Sequence, residues 1–209
     1  MANSCNVFFS ETAYRLGQNA EGTFNDNTAM QQLIKYANLL GLDKKSGLEI
    51  SEASPQVSNE LPIPSAIGQG THSYTTSQLA RYVTASLASS GTMHTIFLCW
   101  IRSTDASGNL IQDYTPEVLS TIDLPQWIWD DLHAGMEGVI TQTNSYIFGD
   151  LGVTLAGKTG TAEITAEQAN HSFVRGLCAG QINRRLRWAI RIANGYSSSE
   201  CRTGGKRIF

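Results

Sequence analysis

A lysine, a hydroxyl and a glycine side by side on a strand make a grip for an anionic peptide end, and residues 158–161 read Lys-Thr-Gly-Thr inside an apolar, strand-favouring run. The Lys158 ammonium supplies charge, and the Thr159 hydroxyl supplies a donor for a carboxylate. Gly160, with no Cβ, lets a substrate backbone lie against the strand as an added one. The Thr161 N–H can help hold a developing oxyanion. About 150 residues earlier stands Ser4-Cys5-Asn6, a Ser-x-Asn triplet, in which a hydroxyl can pass a proton and an amide can bind both a lysine and a carbonyl. Neither triplet decides anything alone. A Lys-Ser/Thr-Gly run arises by chance in about one chain in ten of this length, and Ser4 or Asn6 can equally cap a helix starting at Val7. Cys5 reads as a packing residue, because no histidine stands near it in sequence to activate a thiolate.

These residues need elements to hold them. Apolar positions 8, 9, 13 and 16 predict a helix over Val7–Leu16, and Met30, Leu33, Ile34, Ala37 and Leu40 predict a second, capped by Asp26 or Asn27 and ended at Gly41. Residues 43–74, with Pro55, Pro62, Pro64, Gly68 and Gly70, read as a long irregular connection of the kind that borders a cleft. A third helix runs from Thr75 or Thr76 to Gly91, and strand-favouring residues 93–103 lead through the turn Asp105–Asn109 into a hairpin. Pro125 suits the first turn of a helix with Trp127, Ile128, Leu132, Met136 and Ile140 along one side. Strands are expected over 153–164, 171–179 and 186–193, followed by a short terminal helix. The order predicts one α+β domain, with a mainly helical part and hairpin in 1–150 and an antiparallel sheet with helices packed on it in 151–209.

Composition narrows the function. The chain has 209 residues, 41% apolar and 16% charged, enough for one folded domain. Its net charge of −3 and the short basic cluster Arg184, Arg185 and Arg187, without interleaved aromatics, give no support to nucleic-acid binding. No stretch approaches the roughly 20 apolar residues of a membrane span, and residues 1–4 show no export signal. Cys5, Cys99, Cys178 and Cys201 form no CxxC pair and are expected to be free thiols, mostly packed. His72, His94, His133 and His171 lack metal-ligand spacing and read as ordinary surface or core residues.

Order and surroundings carry more than the triplets. Pro64-Ser65-Ala66-Ile67-Gly68-Gln69-Gly70, the helix Thr75 to Gly91, Leu155-Ala156-Gly157-Lys158-Thr159-Gly160-Thr161-Ala162-Glu163 and Arg191-Ile192-Ala193-Asn194-Gly195-Tyr196 resemble class B penicillin-binding proteins. The resemblance runs from residue 3 to about 171 and returns at 188–198. It implies a partial serine β-lactamase/transpeptidase-like fold and a D,D-transpeptidase that cross-links peptidoglycan. In that family a serine attacks the D-alanyl-D-alanine end of one stem peptide, releases D-alanine and passes the acyl group to an amine; β-lactams acylate the same serine. Carried over, Ser4 belongs to the proton relay and Asn6 holds the substrate amide. Lys158 and Thr159 bind the terminal carboxylate, Gly160 gives clearance, and the Thr161 N–H forms half of the oxyanion hole. The resemblance implies no cofactor and no metal. It implies stem peptides and β-lactams as ligands, a glycosyltransferase of the cell-wall machinery as a partner, and a membrane-anchored parent working on the extracytoplasmic face of the bacterial membrane.

The family's Ser-x-x-Lys is not here. Lysines 35, 44, 45, 158 and 206 have Gln32, Gly41, Leu42, Leu155 and Thr203 three residues earlier. The expectation is therefore a fragment, inactive alone, whose nucleophile and first strands belong to a missing N-terminal half. Residues 172–187 and 200–209 also depart from the family pattern, through divergence or a local frame change. A penicillin-recognising sensor or hydrolase, or a non-catalytic binding domain of the same fold, are the competing expectations.

Overall fold

The computed structural model describes residues 2–48, 50–87, 92–94, 105–109, 111, 118–150, 154–163, 170–179 and 185–192. Helix α1 (Asn6–Leu16) begins straight after the Ser-x-Asn serine, with Cys5 at its N-cap position and no side-chain cap. Helix α2 (Asp26–Leu39) is capped one residue before the predicted position, by Asn25, whose Oδ1 accepts from the Thr28 N–H at 3.0 Å. It closes as predicted at Gly41, whose φ of +69° is the left-handed turn that lets the Leu42 N–H return to the Ala37 carbonyl at 2.9 Å. The 43–74 connection is largely irregular, as expected, but contains a short helix α3 (Pro62–Ala66) and an isolated bridge between Gln56 and Ser73.

Helix α4 (Thr76–Leu87) opens with a reciprocal cap written in Thr75-Thr76-Ser77-Gln78: the Thr75 N–H donates to Gln78 Oε1, and the Gln78 N–H donates to Thr75 Oγ1. Strands β1 (Thr92–His94) and β2 (Val118–Thr121) pair antiparallel, and the Asp105 carboxylate closes the intervening turn on the Ser107 and Asn109 amides. Most of the predicted first hairpin strand, residues 95–104, lies outside the described residues. So do the end of the third predicted helix, residues 88–91, and the predicted terminal helix. Helix α5 (Gln126–Thr141) starts one residue after Pro125. Of the predicted stripe, Met136 and Ile140 are buried and Ile128 and Leu132 half-buried, joined by buried Trp129 and Val139; Trp127, 64% exposed, is the one member the structure corrects. Two residues along a helix are about 200° apart, so burying Trp129 turns Trp127 outward. A short α6 (Ser145–Phe148) follows.

The last strands form one antiparallel sheet in the order β3 (Thr154–Ala162), β4 (His171–Ala179), β5 (Arg185–Ile192). All nine residues of β3 pair with β4 without a break, Thr154 opposite Ala179 and Ala162 opposite His171. The part of the divergent stretch that falls in 172–179 therefore continues the ladder. Helix α5 lies against β3, and α4 reaches β4 and β5. Val83, Met136 and Ala156 form one core cluster, and Ile140, Phe148 and Leu155 another. These two clusters fix β3, and with it residues 158–161, against the helices.

Candidate active site

The predicted site residues come together. Ser4 and Asn6, at the entry to α1, line one cleft with the Lys158–Glu163 end of β3. Its volume is about 970 Å³, and its other wall comes from the 57–74 connection, including Ser58, Ser65, Gly68, His72 and Tyr74. The decisive contact joins the two triplets: Lys158 Nζ donates to Ser4 Oγ at 2.7 Å, and also to the Thr159 carbonyl at 2.6 Å. Residues 154 apart in sequence thus share a bond. Lys158 borders as well an apolar cavity of about 360 Å³ lined by Phe9, Leu40, Tyr82, Ile128, Leu132 and Met136. Its methylene stem has apolar company while the ammonium reaches the polar cleft.

Ser4 stands in the left-handed region with φ +48°, which is uncommon for a residue other than glycine. The bend presents its hydroxyl to Lys158 immediately before the chain enters α1. Cys5, expected to pack, is exposed; a residue at the N-cap of a helix opening on a cleft has no core to enter. Neither Ser4 nor Asn6 caps α1 by its side chain, so the capping alternative for that triplet fails.

On β3, Thr161 is exposed, while Lys158, Thr159 and Gly160 are half-buried. A Cβ placed on Gly160 would meet nothing closer than the Phe173 Cβ at 3.8 Å, an ordinary contact. The chain's own packing therefore does not demand glycine here. Within the sheet β3 pairs only with β4, so its other edge faces the cleft side free of a strand among the described residues. Such an edge can take an extended peptide.

Sequence reading flagged the 43–74 connection as a cleft border but set His72 aside. The structure puts His72 in the wall, half-buried, with its pKa lowered by burial against the opposing pull of the Ser65 carbonyl. Burial also pushes the Tyr74 phenol up to about 12. Among the described residues no three His, Cys, Asp or Glu converge as metal ligands would.

A family model for the penicillin binding protein transpeptidase domain matches residues 1–199. The chain belongs to that family. This transpeptidase-family chain also superposes on solved structures across nearly its whole length. A chain described under the structural coordination of polymerization and crosslinking by a peptidoglycan synthase complex matches with a TM-score of 0.78 and 22% identity, over 99% of this chain and 35% of that one. Penicillin-binding protein 2B from Streptococcus pneumoniae (strain R6) matches at 0.74 and 21%, over 99% of this chain and 38% of its own. PBP2 of Pseudomonas aeruginosa, in complex with WCK 5153, matches at 0.73 and 21%, over 100% of this chain and 45% of its own. The likeness establishes the mixed helix-and-sheet fold of the penicillin-binding proteins, and the chain spans less than half the length of these structures. Comparison with curated protein sequences finds no match.

Proposed function

We propose that the cleft takes the D-alanyl-D-alanine end of a peptidoglycan stem peptide, and β-lactams, for serine acyl transfer. The observation that carries this reading is the 2.7 Å bond from Lys158 Nζ to Ser4 Oγ at the mouth of an open strand edge. In the proposed reaction a serine hydroxyl attacks the carbonyl of the penultimate D-alanine. Its proton travels to the departing D-alanine amine as the peptide C–N bond breaks, leaving an ester. An acceptor amine then attacks the ester, gives up its proton, and restores the serine hydroxyl. Ser4, accepting from the Lys158 ammonium, keeps its own O–H free to donate along this proton path. Lys158 and Thr159 grip the terminal carboxylate, Asn6 holds the substrate amide, Gly160 leaves room for the peptide backbone, and the Thr161 N–H contributes to the oxyanion hole.

Because no Ser-x-x-Lys occurs in the 209 residues, the attacking hydroxyl is supplied by the rest of the transpeptidase domain, and this chain alone forms no acyl-enzyme. Its parent works at the extracytoplasmic face of the bacterial membrane beside glycan-polymerising machinery; the likeness to a chain of a peptidoglycan synthase complex supports that setting. Among the described residues no helix is long and apolar enough to cross a membrane.

Fluorescent penicillin tests the reading. The 209-residue chain should not label. Joined to the part of the domain that carries Ser-x-x-Lys, it should label, and Lys158→Ala should abolish that signal. Covalent labelling of the isolated chain would overturn the assignment of the nucleophile, and undiminished labelling of the Lys158→Ala fusion would overturn the grip.

A further inference from the structure

The cleft wall opposite β3 is tied together by one imidazole. The Ser58 N–H donates to His72 Nδ1 at 2.9 Å, and His72 Nε2 meets the Ser65 carbonyl at 3.2 Å. The ring thereby clips the strand-like stretch before α3 to the helix itself. Around it the hydroxyls of Ser58 and Ser65, both buried, are hydrogen-bonded to each other at 2.7 Å, and both lie within reach of the Glu60 carbonyl, so that one of the two protons bridges the serines and the other goes to that carbonyl. The Thr71 N–H donates to Ser58 Oγ at 3.2 Å. Gly70 passes so close that an added Cβ would sit 2.7 Å from Ser58 Oγ and 2.8 Å from Ser65 Oγ, and its φ is +86°. Nothing larger than glycine fits, so the Gly68-Gln69-Gly70 stretch is moulded onto the two serines that His72 holds.

The donors fix the state of the ring. A backbone N–H can only donate, so Nδ1 is bare, and the ring proton is on Nε2, directed to the Ser65 carbonyl. The neutral Nε2–H tautomer satisfies both bonds. A second proton can bind only at Nδ1, where it would confront the Ser58 N–H across 2.9 Å. Tyr74 Oη, 3.0 Å from the same nitrogen, can turn from donor to acceptor, but the Ser58 amide cannot. Lys158, Glu163, His171, Tyr74 and Tyr82 line the same cleft, and Glu60 belongs to the wall's own turn. Among the described residues no carboxylate lies within ion-pair distance of the ring to favour its cation.

We propose that His72 is a positioning residue that latches this wall while its ring is neutral and releases it on protonation, making the shape of the cleft sensitive to mild acid. The link to substrate rests on the proposed acyl-transfer reading, since the latched wall faces the Lys158–Thr161 grip. Burial holds the His72 pKa below its ordinary 6.5, so between the two values the unfolded chain binds more protons than the folded one. The latch's stabilisation is present above pH 6.5 and lost as pH falls through the lowered value.

Two measurements on the 209-residue chain decide it. In 15N spectra at pH 7.5, His72 should carry its proton on Nε2; a proton on Nδ1 overturns the latch and needs no variant. In hydrogen exchange corrected for intrinsic rates, protection of the Ser58 amide should fall about tenfold by one pH unit below the ring's pKa, because about a tenth of the ring is then neutral. His72→Asn keeps an acceptor near Nδ1 but does not titrate, so its protection should lose this pH response. An identical response in wild type and His72→Asn refutes the proposal. Neither measurement involves penicillin or the nucleophile, so a failed latch leaves the Lys158–Ser4 grip standing, and a failed labelling experiment leaves the latch readable.

Discussion

At the scale of single residues, the site is built by putting Ser4 into an unfavourable backbone. A left-handed serine costs about 1–2 kcal/mol relative to the ordinary regions, and its φ of +48° coincides with the 2.7 Å bond from Lys158. The bond is exposed, so its net return is about 0.5–1.5 kcal/mol, comparable with the strain. The two terms can be separated. Ser4→Ala loses the acceptor and keeps the strain, and should destabilise the chain by about 1 kcal/mol. Ser4→Gly loses the same acceptor but relieves the strain, so it should be more stable than Ser4→Ala by about 1 kcal/mol. Urea unfolding midpoints of the two variants check this, and an alanine variant as stable as the glycine one would mean that the left-handed bend costs nothing.

At the scale of elements, α4 is what holds the cleft-bordering connection in place. Arg81 is 1% exposed, and its guanidinium donates to the carbonyls of Gly41 and Lys44, both at 2.6 Å, and of Lys45. One turn earlier, Gln78 Nε2 donates to the Ala53 carbonyl at 2.8 Å, and Ser77 and Thr75 hydroxyls donate to Glu52 Oε1. Partial burial works to raise the Glu52 pKa, but the bonds from Ser77, Ser46 and Thr75 outweigh it and hold the carboxyl below its ordinary range. Arg81→Leu keeps bulk but strands three carbonyls, of which that of Gly41 is buried, and should cost on the order of 3 kcal/mol in urea unfolding. A loss under 1 kcal/mol would show that water satisfies those carbonyls instead. This grip also explains what the sequence could and could not disclose. Periodicity and punctuation located α1, α2, α4 and β3 to β5 because each has its own apolar pattern and stop signal. They missed the Asn25 cap by one residue, since Asn25, Asp26 and Asn27 are all good caps and only the entry angle of the chain selects one. They put Trp127 on the buried stripe because an aromatic extends an apolar pattern, whereas the structure buries Trp129 instead. The Lys-Thr-Gly and Ser-x-Asn motifs were legible as triplets. The place of His72 in the cleft wall was not, because apart from Tyr74 its bonds go to backbone atoms at residues 58 and 65, and backbone partners leave no mark in side-chain spacing.

For the whole molecule, the sheet decides how the chain behaves in solution. Its order β3-β4-β5 leaves two outer edges. The β3 edge belongs to the cleft and carries Lys158, and a lysine on an exposed edge is one of the devices that discourage pairing with another chain. The β5 edge, over Arg185–Ile192, has no paired strand among the described residues on the side away from β4. Its sequence alternates arginine at 185, 187 and 191 with Leu186, Trp188, Ile190 and Ile192, so one row resists association and the other favours it. An edge with no partner among the described residues leaves ladder donors and acceptors open to another chain, and the isolated chain should associate as its concentration rises. Light scattering should show a mean mass above the 22.7 kDa of one chain. Ile190→Lys, which puts charge into the apolar row, should move the population back toward the monomer. Replacing a cleft-side residue such as Thr161 by lysine should leave it unchanged, because that edge already has its guard. A single monomeric species for the unaltered chain at every concentration would mean that the β5 edge is covered, and an equal response to both substitutions would mean that charge in general, rather than this edge, controls the association.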